Sequence, residues 1–389
     1  MLTGKMPVIV LSAVSLACMS CADLVDEDYF CDASAVPVNL SFGLENALSP
    51  SIAIDSNDVV YVAWSSYIEQ VGTVVFLANS TDWLMSRCII SDNSMRSERP
   101  VIAVDGNGVV HAVWEVFFAD MNSSDIYYAN STDWAGTLVN VSGSTGYNIN
   151  NELPSIAVNP SGIAHVAWNE EGDNIYYSCS INWNNKINIS NGDYSSVTYC
   201  SIALLPDGDA CVAWTETSSD HLSRRVCIAF STDWAGTKTV VYTTDDFCLW
   251  PCITVDNNGI IHAVWTVFGP PAKRILYANS TDWNGTLAPV SPGCTMPVCR
   301  KIVSDSNNVV HISWREGLND PHGVLYANST DWKLSRRTMT RTAPEDIWTY
   351  LDDTSIAVDS ECNAHIVWEH LYDYPGAAGC VYYRSHANK

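Results

Sequence analysis

The stretch Val101–Trp114, VIAVDGNGVVHAVW, decides the fold because close variants of it recur along the chain. Each copy has two short apolar, β-branched runs around a turn of Asp, Asn, Ser and Gly, a pattern that predicts a β-hairpin. Each hairpin ends on a tryptophan, and these closing tryptophans follow one another at intervals of 46 to 54 residues. They are Trp64, Trp114, Trp168, Trp214, Trp265, Trp314 and Trp368. Seven copies at this period predict a propeller-type array.

A second phrase follows the closing tryptophan after a variable loop, as in YYANSTDW at 127–134, and a short run such as LVNVS at 138–142 comes next. Each unit therefore has four strands, named A to D from the centre outward, with strand B ending at the closing tryptophan. Four-stranded units repeated radially are the blades of a propeller. The predicted fold is an all-β, seven-bladed β-propeller. Its blades are expected at about 49–91, 99–142, 153–190, 199–242, 250–291, 300–341 and 354–385.

The two ends of the propeller sequence predict how the ring closes. The seventh copy stops shortly after its strand C, at VYYRSHANK, and has no strand D. The run PVNLS at 37–41 resembles the strand-D runs of the other copies. We therefore expect residues 36–41 to complete the seventh blade, which removes a free sheet edge.

The beginning of the chain is typical of an export signal. Lys5 precedes an apolar run from Val8 to Met19, and the small residues at 20–22 suit a cleavage site. The domain prediction is a signal peptide at 1–22, a lead-in at 23–35 and one propeller domain at 36–389. An uncleaved anchor and a lipid anchor at Cys18 remain alternatives. The mature chain is expected to be secreted or held at the cell surface, with no transmembrane segment.

The charge balance excludes one large class of partner. The chain has 43 acidic and 19 basic residues, for a formal net charge of −24. A nucleic-acid-binding protein needs a basic surface that displaces counterions, so no nucleic-acid partner is expected.

Cysteines and sequons also fit an exported protein. Of 14 cysteines, 12 follow the predicted cleavage site, and an even number outside the cytoplasm predicts disulfide bonds. Nine N-x-S/T sequons predict a glycoprotein. They are Asn39, Asn79, Asn122, Asn130, Asn140, Asn188, Asn279, Asn284 and Asn328.

The turn STDWAGT at 131–137 resembles the Asp-box of sialidase-like β-propellers, which is also called the BNR repeat. It falls between strands C and D, where that superfamily carries it. The resemblance implies the fold and, as one activity, sialidase-like glycoside hydrolysis. Because a turn aspartate accepts amide hydrogens of its own turn, the repeated carboxylates are interpreted as structural. They are Asp82, Asp133, Asp233, Asp282 and Asp331.

A histidine stands three residues before the closing tryptophan in five copies: His111, His165, His262, His311 and His365. One histidine per blade spreads these side chains around the ring, so no metal site is predicted from them. No resident cofactor is expected, although calcium remains possible because carboxylate oxygens suit it.

Propeller geometry places the A–B and C–D turns on one face and the B–C and D–A loops on the other, here called the loop face. The loops of the loop face vary in length and are acidic, and variable loops on a rigid scaffold commonly bind ligands. Candidate ligand-binding residues are Trp250, Trp348, Glu170, Glu216, Glu316 and Arg315.

The expected function is a non-catalytic binding module for extracellular glycan or protein ligands. The alternative is a sialidase-like glycoside hydrolase, or another polysaccharide-cleaving enzyme, on the same scaffold. That enzyme would clamp a substrate carboxylate with arginines and act through a tyrosine and carboxylates. Its candidate residues are Arg99, Arg300, Arg315, Glu316 and Tyr350. Convergence of the three arginines in one pocket, with a tyrosine and two carboxylates, would favour the enzyme.

Overall fold

The computed structural model describes residues 30–31, 37–118, 123–143, 149–190, 196–270, 273–291, 297–316, 323–341, 349–372 and 379–387. The predicted signal peptide, Asn122, Cys294 and Trp348 lie outside these residues. All regular elements of the described residues are β-strands. No helix in these ranges is long and apolar enough to cross a bilayer.

Seven sheets, each with strands in the order A-B-C-D, confirm the predicted seven-bladed propeller. In order from strand A to strand D, blade 1 has Glu45–Ile54, Val60–Ile68, Gly72–Asn79 and Cys88–Ile89; blade 2 has Arg96–Val104, Val110–Phe117, Ser124–Asn130 and Val139–Asn140; blade 3 has Asn151–Val158, Ala164–Glu170, Asn174–Cys179 and Ile187–Asn188. Blade 4 has Ser196–Leu204, Ala210–Thr217, Arg224–Phe230 and Thr239–Thr244; blade 5 has Phe247–Val255, Ile261–Phe268, Arg274–Asn279 and Ala288–Pro289. Blade 6 has Val298–Ser304, Val310–Glu316, Gly323–Asn328 and Arg337–Arg341; blade 7 has Thr349–Val358, Ala364–Tyr372, Cys380–His386 and Val38–Asn39. Phe30–Cys31 adds a parallel fifth strand to blade 6.

The predicted closing strand completes blade 7. Val38 and Asn39 pair antiparallel with Tyr383 and Tyr382. The Leu40 amide donates to the carbonyl of Val381 at 2.9 Å, and the Ser41 hydroxyl accepts the Val381 amide at 3.0 Å. Leu40 is buried in the cluster that joins blade 7 to blade 1. The closing strand thus covers an edge and fills a core position at once.

The seven closing tryptophans form the centre of the packing between blades. All are at most 1% exposed. Trp265 of blade 5, for example, packs in one cluster with Val226 and Val241 of blade 4. Truncating a buried tryptophan to alanine costs about 3–5 kcal/mol, so these residues hold neighbouring blades together.

The repeated histidines link strands within a blade and help to join it to the next. In blade 5, His262 bonds through Nδ1 to the Tyr277 hydroxyl at 2.7 Å and through Nε2 to Asp256 at 3.3 Å. The Tyr277 ring packs on Trp332 of blade 6, with centroids 5.0 Å apart. We call this Asp–His–Tyr arrangement the blade relay. It recurs with direct bonds to both ring nitrogens at His311 and His365.

The blade relay gives three of the repeated histidines a structural role. In His262, His311 and His365 both ring nitrogens have partners within one blade. Among the described residues, no group of three or more His, Cys, Asp or Glu side chains is arranged to hold a metal ion.

The Asp-box turns lie between strands C and D. Asp133 accepts the amide of Gly136 at 3.0 Å, and Asp331 accepts those of Lys333 and Leu334 at 2.9 and 3.0 Å. Asp82, Asp233 and Asp282 make equivalent bonds. A capping carboxylate of this kind satisfies amides that the sharp turn leaves unpaired.

The predicted disulfides are not found among the cysteines whose side chains the structure describes. All ten are free thiols: Cys88, Cys179, Cys200, Cys211, Cys227, Cys248, Cys252, Cys299, Cys362 and Cys380. Strand register separates two of them, because Cys211 lies opposite Phe230 and Cys227 lies opposite Trp214. Burial raises the pKa of Cys200 and Cys299 to about 12, which makes these thiols poor nucleophiles.

Candidate functional site

Strand A of each blade breaks its pairing with strand B near the loop face. The register shifts between Glu98 and Val101 in blade 2, for example, and at the corresponding place in the other blades. A bulge of this kind bends a strand and redirects a side chain. Because every blade has one, the bulges form a ring around the mouth of the central channel.

Five of the bulges contain a non-glycine residue with a left-handed backbone. The residues are Ser49, Arg99, Leu153, Tyr199 and Trp250, with φ between 52° and 55°. Such a conformation costs on the order of 1 kcal/mol or more for a residue with a side chain. Strain at one repeated place, at the opening of a channel, indicates a site where side-chain direction matters.

The bulges surround a cavity of about 370 Å³ at the channel mouth, here called the mouth cavity. Two arginines, Arg99 and Arg300, face it together with Tyr199. Its carboxylates are Glu98, Glu152, Asp353 and Glu369. A narrower space of about 170 Å³ continues inward and shares several lining residues, with Trp250 and Lys301 added. The site therefore gathers opposite charges and aromatic rings in one concave place.

Arg99 is held by a buried carboxylate. Its Nη1 atom donates to Oε2 of Glu115 at 2.9 Å, and Glu115 is fully buried. The other oxygen of Glu115 accepts the amide of Leu153 at 2.7 Å. Burial raises the pKa of Glu115 to about 7, although the Arg99 charge acts against this rise. Glu115 therefore fixes an arginine of the site and, at the same time, the bulge of the next blade.

A second carboxylate repeats this arrangement. Glu369, which also follows a closing tryptophan, accepts the amide of Ser49 at 2.7 Å. Glu369 is 5% exposed. Glu369 of blade 7 thus stabilises the bulge of blade 1, and Glu115 of blade 2 stabilises the bulge of blade 3.

Arg300 makes an ion pair with Asp353 of blade 7. Its guanidinium carbon also lies 5.7 Å from the centre of the Trp250 ring. A planar cation over an aromatic face is attracted by the ring quadrupole. Arg300 is therefore positioned by a neighbour on each side, in blades 5 and 7.

Lys301 closes the inner end of the site. It stands where most blades have serine, and its Nζ donates to the carbonyl of Ile52 in blade 1 at 2.5 Å. Burial lowers the pKa of Lys301 to about 8. The ammonium thus crosses from blade 6 to blade 1 inside the channel.

The structure brings together only some of the residues predicted from the sequence. Arg99 and Arg300 share the mouth cavity, and Trp250 lines its inward continuation. Arg315 and Glu316 lie in strand B of blade 6, and neither lines these two spaces. Tyr350 lies in strand A of blade 7, and its side chain is outside the description.

Two predicted ligand-binding glutamates are engaged within their own blades. Glu170 pairs with Lys186. Glu216 is completely buried and accepts the indole Nε1 hydrogen of Trp214 at 2.8 Å, and it pairs with Arg225 at 2.6 Å. Neither is among the residues lining the mouth cavity.

Sequence reasoning missed Tyr199, Glu98, Glu152, Asp353, Glu369 and Lys301 as site residues. One signal in the sequence could have located the bulges that surround the site. Proline occupies the same place in strand A of four copies, at Pro50, Pro100, Pro154 and Pro251. Proline cannot donate to a ladder and marks bulges, and the residue before each of these prolines lines the site.

No family model matches the sequence, and no curated protein matches it either. Solved structures do share the fold. An ulvan lyase of polysaccharide lyase family PL25, bound to -[GlcA(1-4)Rha3S]-, has a TM-score of 0.61 at 10% identity, covering 89% of this chain and 95% of that one. The α-L-arabinanase of Penicillium chrysogenum, complexed with arabinobiose, has a TM-score of 0.51 at 14% identity, covering 91% and 98%. A Dyadobacter fermentans protein of unknown function has a TM-score of 0.52 at 12% identity, covering 88% and 95%.

These comparisons agree with the sialidase-like propeller fold that the Asp-box turns indicated. They contradict the prediction of a non-catalytic binding module, because the two propellers with a named activity are glycan-cleaving enzymes. They favour the alternative, a glycan-cleaving enzyme.

Proposed function

We propose that this protein is a polysaccharide-cleaving enzyme whose active site is the mouth cavity. The observation that carries the proposal is the convergence of Arg99, Arg300 and Tyr199 with four carboxylates, on a ring of strained bulges. Groups of this kind, preorganised in a concave site, are what general acid–base catalysis and charge stabilisation require.

The residues suit two ways of breaking a glycosidic bond. In hydrolysis, one carboxyl protonates the leaving oxygen while a second carboxylate acts as base or nucleophile, and the mouth cavity has Glu98, Glu152, Asp353 and Glu369 for these roles. In β-elimination from a uronic acid, a base removes the proton next to the sugar carboxylate and the glycosidic oxygen leaves. Arg99 and Arg300 would stabilise the negative charge that develops, and the Tyr199 hydroxyl would transfer a proton.

The test is a panel of polysaccharides that includes arabinan and ulvan, with new reducing ends measured for every substrate. The ultraviolet absorbance of an unsaturated product separates elimination from hydrolysis. We expect Tyr199→Phe and Arg300→Gln each to lower kcat/KM by roughly a hundredfold.

Tyr242→Phe is the matched control, because Tyr242 packs on Trp265 inside blades 4 and 5 and does not line the mouth cavity. Full activity of both site variants would place the chemistry elsewhere. The absence of cleavage across a broad panel would contradict the proposal itself.

We also propose that the enzyme acts outside the cytoplasm. The support is the sequence pattern at residues 1–22. Determination of the mature N-terminus of the secreted protein tests it, with Asp23 expected as the first residue.

A further inference from the structure

Four aromatic side chains extend from the inner part of the site to the rim of blade 5. Trp250 is the centre: its ring lies 5.6 Å from Tyr199 and 5.5 Å from Phe268, edge-on to both. Phe268 is paired across the ladder with Phe247, at the ends of strands A and B that face the loops. We call Tyr199, Trp250, Phe268 and Phe247 the blade-5 track.

The outer end of the blade-5 track is open to solvent. Phe247 is 56% exposed, whereas the closing tryptophans are nearly inaccessible. One face of its ring is supported by Arg224, whose guanidinium carbon lies 3.7 Å from the ring centre. Lys273 lies 5.9 Å from the centre of the Phe268 ring. An exposed ring that is held in place keeps a rigid apolar surface available for a ligand.

Packing of the propeller does not require these aromatic residues. The place of Phe247 is taken by Asn46 in blade 1, Arg96 in blade 2 and Ser196 in blade 4. In blade 4 the ladder pair at this level is Ser196 with Thr217. A Phe–Phe pair at this level is therefore a feature of blade 5 and not a requirement of the fold.

We propose that the blade-5 track binds successive sugar units of a polysaccharide that runs from the mouth cavity outward over blade 5. The inference rests on the proposed function and adds the path of the substrate. Sugar rings present flat C–H faces that stack on aromatic rings. A chain that spans several such positions binds more tightly than one sugar unit, so the enzyme requires polymeric substrate for tight binding.

The experiment measures binding separately from cleavage. Wild type and variants are run in native gels that contain ulvan or arabinan, and retardation gives the affinity. We expect wild type to be retarded by at least one of them. Phe247→Ala should weaken binding by roughly three- to tenfold, as for the loss of one stacked ring, and Phe247→Trp should restore it. KM on the cleaved polysaccharide should rise by the same factor.

Phe117→Ala is the matched control, because Phe117 ends strand B of blade 2 and has Arg96 at 4.8 Å from its ring centre. Equal retardation of Phe247→Ala and wild type would contradict polysaccharide binding along the blade-5 track. A loss of affinity in Phe117→Ala as large as that in Phe247→Ala would contradict it too. No retardation of wild type in either gel would also overturn it. Retardation without any cleavage would instead contradict the proposed function and leave the track standing.

Discussion

Arg99 and Glu115 form an ion pair of 2.9 Å in which the carboxylate is fully buried while the arginine side chain is 46% exposed. The pair therefore links the interior of blade 2 to the mouth cavity. Glu115 also accepts the Leu153 amide of blade 3, so one side chain orients a charged group of the site and sets the neighbouring bulge. The position of Arg99 consequently depends on the contact between two blades.

Glu115 should make stability depend on pH in a defined window. Its folded pKa is raised by burial from 4.5 to about 7, so the folded state binds more protons between these values. Its contribution is fully present below pH 4.5 and is lost as the pH rises through about 7. In urea denaturation, the free energy of unfolding of wild type should decline relative to that of Glu115→Gln as the pH rises across this range. Glu98→Gln is the control, since Glu98 pairs with the exposed Arg96. Parallel pH profiles of wild type and Glu115→Gln would contradict the assignment.

The blade relay predicts the opposite dependence of stability on pH. Burial lowers the pKa of His311 below its usual 6.5, against the influence of Asp305. The unfolded chain then binds the proton more readily, and stability is lost as the pH falls below about 6.5. Replacement of His311 by Gln should reduce the fall in melting temperature as the pH decreases. His221→Asn, at an exposed loop position, should leave that fall unchanged. An equally steep fall of the melting temperature in both variants would exclude the blade relay as its source.

Ring closure by the N-terminal segment predicts a large cost on its removal. Deletion of residues 23–42 takes away the partner of Tyr382 and Tyr383 and exposes an unpaired edge. The melting temperature should fall clearly, and aggregation should increase. Leu40→Ala should cost about 2–5 kcal/mol because a buried leucine is truncated. Val38→Ala, at a 42% exposed side chain, should change little. An unchanged melting temperature after the deletion would show that blade 7 is stable without this strand.

The sequons should differ sharply in glycan occupancy. The amide nitrogens of Asn130, Asn279 and Asn328 each donate inward to a tyrosine hydroxyl at 3.2 Å, and a glycan would occupy that nitrogen. Asn284 is exposed. Peptide mapping of protein secreted from a glycosylating host should find the glycan at Asn284 and unmodified side chains at the other three. Glycan occupancy at Asn130 equal to that at Asn284, in folded protein, would contradict this interpretation of the turns.

The repeat itself was readable from the sequence because its determinants are local. The alternation of apolar runs with Asp/Asn/Gly turns specifies each hairpin, and the closing tryptophans specify the packing between hairpins. The number of blades and the strand that completes blade 7 follow from counting copies and from the missing strand D. The Asp-box aspartates were assigned to their turns for the same reason, since their partners lie within three residues along the chain.

The site depends on contacts between distant parts of the ring. Glu115 reaches Leu153, Arg300 pairs with Asp353 of the next blade, and Lys301 reaches Ile52, which is 249 residues away. Repetition in a sequence shows that such positions are equivalent, but closure of the ring decides which of them face one another. The sequence by itself therefore determined the architecture, because hairpins and blade packing arise from local pattern. Only the tertiary structure decided the site, because a bulge in strand A of every blade, with a left-handed residue in five of them, brings side chains from seven separate strands to one channel mouth.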